Sequence, residues 1–169
     1  MIDRCFIDLD GTLVDFTSGV YELLRKETPP KPEDQTWGFV HSDEWVKMDY
    51  RFTVKLKPTT FCFSILNYCL TKFRKENICI LTAPWDTEGC VEGKRDWVKK
   101  YIPGFEKRML FGEAKYFCAN SHSLLIDDKE ENINSFKEWG GKGALVPQAW
   151  NKNKGKPIDY MFDYIDTLL

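Results

Sequence analysis

The chain has no run of the roughly 18 apolar residues that a membrane-spanning helix requires, so a helical membrane anchor is not expected. It has no excess of either charge: 24 Lys and Arg stand against 26 Asp and Glu, a net of −2. That balance excludes the broad positive field with which a protein tracks an extended nucleic acid. It leaves room for a small anionic substrate, because two or three cations in a pocket suffice. Histidine is scarce, with only His41 and His122, so a His-rich metal site is excluded. The six cysteines (Cys5, Cys62, Cys69, Cys79, Cys90 and Cys118) contain no CxxC pair. Most sit among apolar neighbours, which reads as reduced, packed thiols. The opening MIDRCFIDLDG is too charged for a secretory leader, and a cytoplasmic location is the expectation. Internal repeats and low-complexity segments are lacking too.

What is present fits one domain with a small insertion: 169 residues, 15% of them aromatic, enough to fill a core. Five short apolar runs read as strands, over 4–9, 78–81, 108–111, 123–126 and 144–146. Helical patterns separate most of them, and the continuous apolar run around Leu125 suits a strand covered on both faces. The alternation predicts an α/β sandwich on a parallel sheet. From Phe16 to Glu76 the alternation breaks. Phe16, Val20, Leu23 and Leu24 fit one helical face, prolines 29, 30 and 32 mark a loop, and Ser42 is placed to cap a short helix carrying Trp45 and Val46. Phe61, Ile65, Leu66, Cys69 and Phe73 then mark a longer amphipathic helix. The expected organisation is a core of 1–15 and 77–169 with a mostly helical insertion, 16–76, after the first strand.

Ligands of open α/β sheets bind beyond the carboxyl ends of the strands. Asp8, Asp10, Gly11 and Thr12 follow the first predicted strand, Thr82 and Ala83 the second, and Asp127 and Asp128 the fourth. Four carboxylates on one edge would repel one another, and a divalent cation resolves the conflict. An all-oxygen donor set selects Mg²⁺ over zinc. Lys94 shares a helical stripe with Val91, Val98 and Tyr101: its ammonium either snorkels past the core edge or points at an anion above the sheet. With Lys115 near the same rim, the anion expected is a phosphate.

These residues form a recognisable series. FIDLDGTLVDF resembles the DxDGT signature of the haloacid dehalogenase-like phosphohydrolases, ILTAP their second motif and LLIDD their closing acidic motif. GKRDWVKKY resembles the lysine-bearing stretch of the 5'(3')-deoxyribonucleotidase branch. The resemblance implies a Rossmann-like three-layer sandwich on a five-stranded parallel sheet, with a small helical cap after the first strand. It implies Asp8 as nucleophile and Asp10 as general acid and base. Mg²⁺ would be held by Asp8, Asp10 (through its backbone carbonyl) and Asp128 or Asp127. It also implies Thr82, Lys94 and Lys115 as phosphate contacts and Phe16 as a border of the nucleoside pocket. The branch often has Ser where this chain has Ala83, so one phosphate-facing hydroxyl is missing. Trp37 and Phe39 correspond either to a base-stacking pair or to ordinary core of the insertion. Of Asp127 and Asp128, the likeness favours Asp128 as inner ligand, with the other free to cap the helix near Glu130.

The activity implied is hydrolysis of a (deoxy)nucleoside monophosphate. A sugar phosphate, or the 3'-phosphate end of a nucleic acid, would use the same chemistry. A catalytically idle phosphate-binding module has no need of both Asp8 and Asp10. No membrane partner is expected, and an aromatic-rich insertion offers a surface on which two copies could pair.

Overall fold

The computed structural model describes residues 1–24 and 40–169. Trp37, Phe39 and the predicted loop over 28–36 lie outside the described residues. Five strands, β1 (Arg4–Ile7), β2 (Ile78–Thr82), β3 (Met109–Phe111), β4 (Ser123–Asp127) and β5 (Lys142–Leu145), form one all-parallel sheet in the order β3-β2-β1-β4-β5. The alternation of side chains along each strand builds two cores. Cys5, Ile7, Ile78, Ile80, Leu124 and Ile126 face one side. There they meet α3 (Cys62–Lys72), α4 (Cys90–Tyr101) and α6 (Ile158–Asp166) through Ile65, Trp97, Val98 and Met161. Phe6, Leu81, Leu125 and Leu145 face the other side and pack on Ile133 and Phe136 of α5 (Glu130–Glu138). This is the three-layer α/β sandwich expected from the pattern.

The chain leaves the sheet for α1 (Phe16–Leu23) directly after β1, and its way out and way back are hydrogen-bonded to each other. Asp15 N donates to Lys57 O at 2.8 Å, and Thr59 N donates to Leu13 O at 2.8 Å. The excursion thus spans 16–56. The rest of the expected insertion, including α3, packs on the sheet, with Cys69 Sγ 3.8 Å from Cys5 Sγ. Within the excursion, α2 (Tyr50–Lys55) is a helix the sequence pattern did not disclose, capped by Asp49, whose carboxylate accepts from Phe52 N at 3.0 Å. Ser42 does not act as the expected helix cap: the segment is a single 3-10 turn, Trp45–Lys47, preceded by Glu44, and Val46 is exposed. One turn is too short to bury an apolar face.

The excursion is seated on α4. Trp97 Nε1 donates to Leu56 O at 2.8 Å, and Gly93 lets α2 approach, since a β-carbon there would fall 2.7 Å from Thr53 Cβ. Alanine in mid-helix would gain about 1 kcal/mol of propensity over glycine, but a clash of this depth costs about 1–3 kcal/mol. Gly93→Ala is therefore expected to lower the melting temperature; a rise would show that α2 does not rest on α4. The six cysteines are free, and burial pushes the Cys62 thiol up to about 12, so none forms a disulfide and Cys62 stays a packed thiol. Among the described residues no helix is long and apolar enough to cross a membrane.

Candidate active site

The pairing of β1 with β4 matches Ile7 to Ile126, so one residue further along, Asp8 stands beside Asp127 where both strands end. Asp8 N donates to Ile126 O at 2.9 Å, which extends the ladder to that point. Asp8, Asp127 and Asp128 are all buried, and one carboxylate oxygen from each lies within 4.8 Å of the others. Lys115, in the 3-10 turn Lys115–Cys118, places its buried ammonium between two of them: it bonds Asp8 Oδ1 and, at 2.7 Å, Asp127 Oδ2. Burial alone would lower the Lys115 pKa, but the charges of Asp127 and Asp8 outweigh it and raise it above the ordinary lysine value. Burial raises Asp127 above the usual carboxylate range although Lys115 pulls the other way. Asp128, also raised by burial and by the charges of Asp127 and Asp8, is pushed further.

The two adjacent aspartates have different surroundings. Both Asp127 oxygens are occupied: Oδ1 accepts from Lys129 N (2.8 Å) and Asn132 Nδ2 (3.1 Å), Oδ2 from Lys115 and Asn132 Nδ2 (2.9 Å). Asp128 Oδ2 accepts from Trp150 Nε1 at 2.7 Å, while its Oδ1 is buried with no hydrogen-bond partner. Asp10 Oδ1 is in the same condition. Gly11 makes this crowding possible. Its φ of +83° is a turn conformation that glycine adopts without strain, and a β-carbon would press on the Asp128 carboxylate. A buried, unpartnered Asp128 oxygen with the carboxylates of Asp8 and Asp127 close by, oxygen donors throughout, fits a small hard divalent cation.

Lys94 does not snorkel: its side chain is 0% exposed. The ammonium ion-pairs with Asp10, donates to Thr82 Oγ1 (2.9 Å) and Ala83 O (2.8 Å), and lies 4.5 Å above the Trp85 ring. A cavity of about 340 Å³ opens beside these groups, and its lining includes the charged side chains Asp8, Asp10 and Lys115 together with the aromatic rings of Phe16, Trp45 and Trp85. Phe16 and Trp85 pack with ring centroids 4.8 Å apart, and Trp85 Nε1 donates to Met48 O at 2.7 Å. Asp8, Asp10, Thr82, Ala83, Lys94, Lys115, Phe16, Asp127 and Asp128 are thus brought to one edge, while Trp37 and Phe39 lie outside the described residues.

Sequence reasoning missed Trp85, Asn132 and Trp150. Each follows the carboxyl end of a strand by three to five residues. The rule that located the acidic residues, extended past the motifs into the loops and the first turn of α5, would have reached them.

No protein-family model matches the chain. A protein of Vibrio phage KVP40 named "Putative 5'(3')-deoxyribonucleotidase" is 32% identical over 133 residues, covering 75% of this chain and 66% of that protein. The chain thus spans just under two thirds of that relative. Among solved structures, the magnesium-bound HAD-hydrolase YfnB of Bacillus subtilis superposes with a TM-score of 0.61 at 13% identity, covering 98% of this chain and 100% of the other. A haloacid dehalogenase-like family hydrolase of Xanthomonas campestris gives 0.60 at 9% identity, with 99% and 91% covered. A HAD family hydrolase of Deinococcus radiodurans with bound phosphate and sodium gives 0.58 at 11%, with 99% and 88% covered. At these identities the likeness to solved structures is one of fold.

Proposed function

We propose that the chain is a haloacid dehalogenase-like phosphomonoesterase acting on nucleoside monophosphates, deoxynucleotides among them, a reading supported by its likeness to the phage protein and by the shared fold. The observation that carries this reading is the convergence of Asp8 with the Asp127–Asp128 pair at one strand edge, between two buried lysines.

In this reading the Asp8 carboxylate attacks phosphorus and forms an aspartyl-phosphate, while the ester oxygen leaves with a proton from Asp10. Water then attacks the phosphorus and returns a proton to Asp10, releasing phosphate and restoring Asp8. Lys94, Thr82 and Lys115 hold the non-bridging oxygens and keep the phosphoryl group in line. Asp8, Asp128 through its unpartnered oxygen, and Asp10 through its backbone carbonyl would hold Mg²⁺, with Asp127 orienting the site through Lys115 and Asn132. Bound there, Mg²⁺ offsets the repulsion between the Asp8 carboxylate and the phosphate dianion. We assign the role of cap to the excursion 16–56, with α3 kept in the layer on the sheet. The aromatic rings in the cavity lining, Phe16, Trp45 and Trp85, support a nucleoside as leaving group, since such rings offer a planar base a surface to stack on.

A phosphate-release assay with Mg²⁺ over a panel of nucleotides, sugar phosphates and a generic aryl phosphate tests this reading. Release from dUMP or dTMP well above that from the sugar phosphates is expected. Turnover of the aryl phosphate with no nucleotide turned over would overturn the substrate and keep the chemistry; no turnover at all would overturn both.

A further inference from the structure

The loop after β5 reaches back to the acidic site at three points. Gln148 Nε2 donates to Gly11 O at 2.5 Å, and Asn151 Nδ2 donates at 2.8 Å to both Asp128 O and Val146 O. Between them Trp150 Nε1 donates to Asp128 Oδ2 at 2.7 Å. The Asp128 backbone and one of its two carboxylate oxygens are therefore committed, and only Oδ1 is left without a partner. Asp127 offers nothing more, because both its oxygens accept from Lys115, Asn132 and the Lys129 amide. Asp8 is held at Oδ1 by Lys115.

We infer that Trp150 is a positioning residue that restricts Asp128 to a single free oxygen and so biases the site toward Mg²⁺ and against Ca²⁺. The inference rests on the reading of Asp8 and Asp128 as metal ligands. The two ions differ in what they demand. Ca²⁺ takes roughly 6–8 oxygens and readily accepts a carboxylate through both of its oxygens. Mg²⁺ holds to an octahedron, keeps several waters and needs only one or two carboxylates. An aspartate whose second oxygen is tied to an indole suits the second ion and handicaps the first. Gln148 supports the same arrangement from the other side, by fixing the turn at Gly11 against which the Asp128 carboxylate rests.

Trp150 is partly exposed, so Trp150→Phe removes the N–H while keeping an aromatic ring at little cost to the core. Calorimetric titration of the metal-free protein with MgCl₂ and, separately, with CaCl₂ reads the effect without reference to turnover. Partners behind a ligand typically contribute 10–100-fold in metal affinity. W150F is expected to weaken Mg²⁺ binding about tenfold and to leave Ca²⁺ binding unchanged or stronger, so that the preference for Mg²⁺ drops by about that factor. An unchanged preference between the two ions, whether neither affinity moves or both weaken equally, overturns the inference and leaves the metal site standing. Wild-type protein that binds neither ion overturns the site and the inference together. Should W150F fail to fold, the wild-type indole signal decides. The Trp150 N–H should resist solvent exchange in the Mg²⁺-loaded protein, and free exchange there would mean that the hydrogen bond does not govern the ligand.

Discussion

Replacing Asp8 by Asn is expected to lower phosphate release by at least about a thousandfold, since a nucleophile that forms the covalent intermediate has no substitute in the site. An amide nitrogen or oxygen is a far weaker nucleophile toward phosphorus than a carboxylate, and Asp10 is paired with Lys94 of α4. The fold should be unaffected or firmer. Asn keeps the shape and can still accept the Lys115 hydrogen bond, while one of three buried carboxylates within 4.8 Å of each other loses its charge. The check is a pair of measurements on one preparation, steady-state phosphate release and thermal unfolding. A variant that folds and keeps more than about a tenth of wild-type turnover would remove Asp8 from the chemistry.

The strand-end acids were legible because their signal is local: an apolar strand running directly into acidic residues, FIDLD and LLIDD. The same locality made the sheet legible, down to strand bounds within two residues. What the sequence did not disclose depends on chain segments far apart. Lys94 could be placed on an inward stripe, but that its ammonium meets Asp10 and Thr82 rather than water follows from the seating of α4 beside β2. Asp127 and Asp128 are adjacent and chemically identical. Only Lys115 and Asn132 on one side and Trp150 on the other separate a carboxylate that is fully hydrogen-bonded from one with a free oxygen. The insertion is expected to run to 76, past the hydrogen-bonded return of the chain at 57–59, for a related reason. Helix α3 has the same amphipathic pattern whether it covers a sheet or an insertion, and it is the bonding between 13–15 and 57–59 that marks the return. The helix α2 has six residues, too few for periodicity to stand out from the aromatic background.

The largest expected loss of stability attaches to Lys115. Its ammonium is the counter-charge within bonding distance of Asp8 and Asp127, both buried with Asp128. Lys115→Met keeps the length and apolar stem of the side chain but leaves these carboxylates uncompensated. Breaking a buried pair from one side costs about 3–5 kcal/mol, because the remaining charge stays out of water. The variant can reduce that cost by protonating a carboxylate, which fixes the sign of its pH dependence. A carboxyl group whose folded-state pKa is raised binds its proton more tightly folded than unfolded, so stability is lost as pH rises from the ordinary carboxylate value through the raised one. Asp127 and Asp128 are both raised even with Lys115 present, and removing the cation raises Asp127 further. The K115M melting temperature should therefore fall as pH is raised from about 5 to about 8, more steeply than that of the wild type. Millimolar Mg²⁺ should recover part of the loss at the upper end, since an ion that binds the folded state alone stabilises it by mass action. Thermal unfolding across pH, with and without Mg²⁺, makes the comparison. A variant as stable as the wild type at pH of about 8 without metal would show that the three aspartates do not share a buried charge there, and the case for a cation at this edge would go with it.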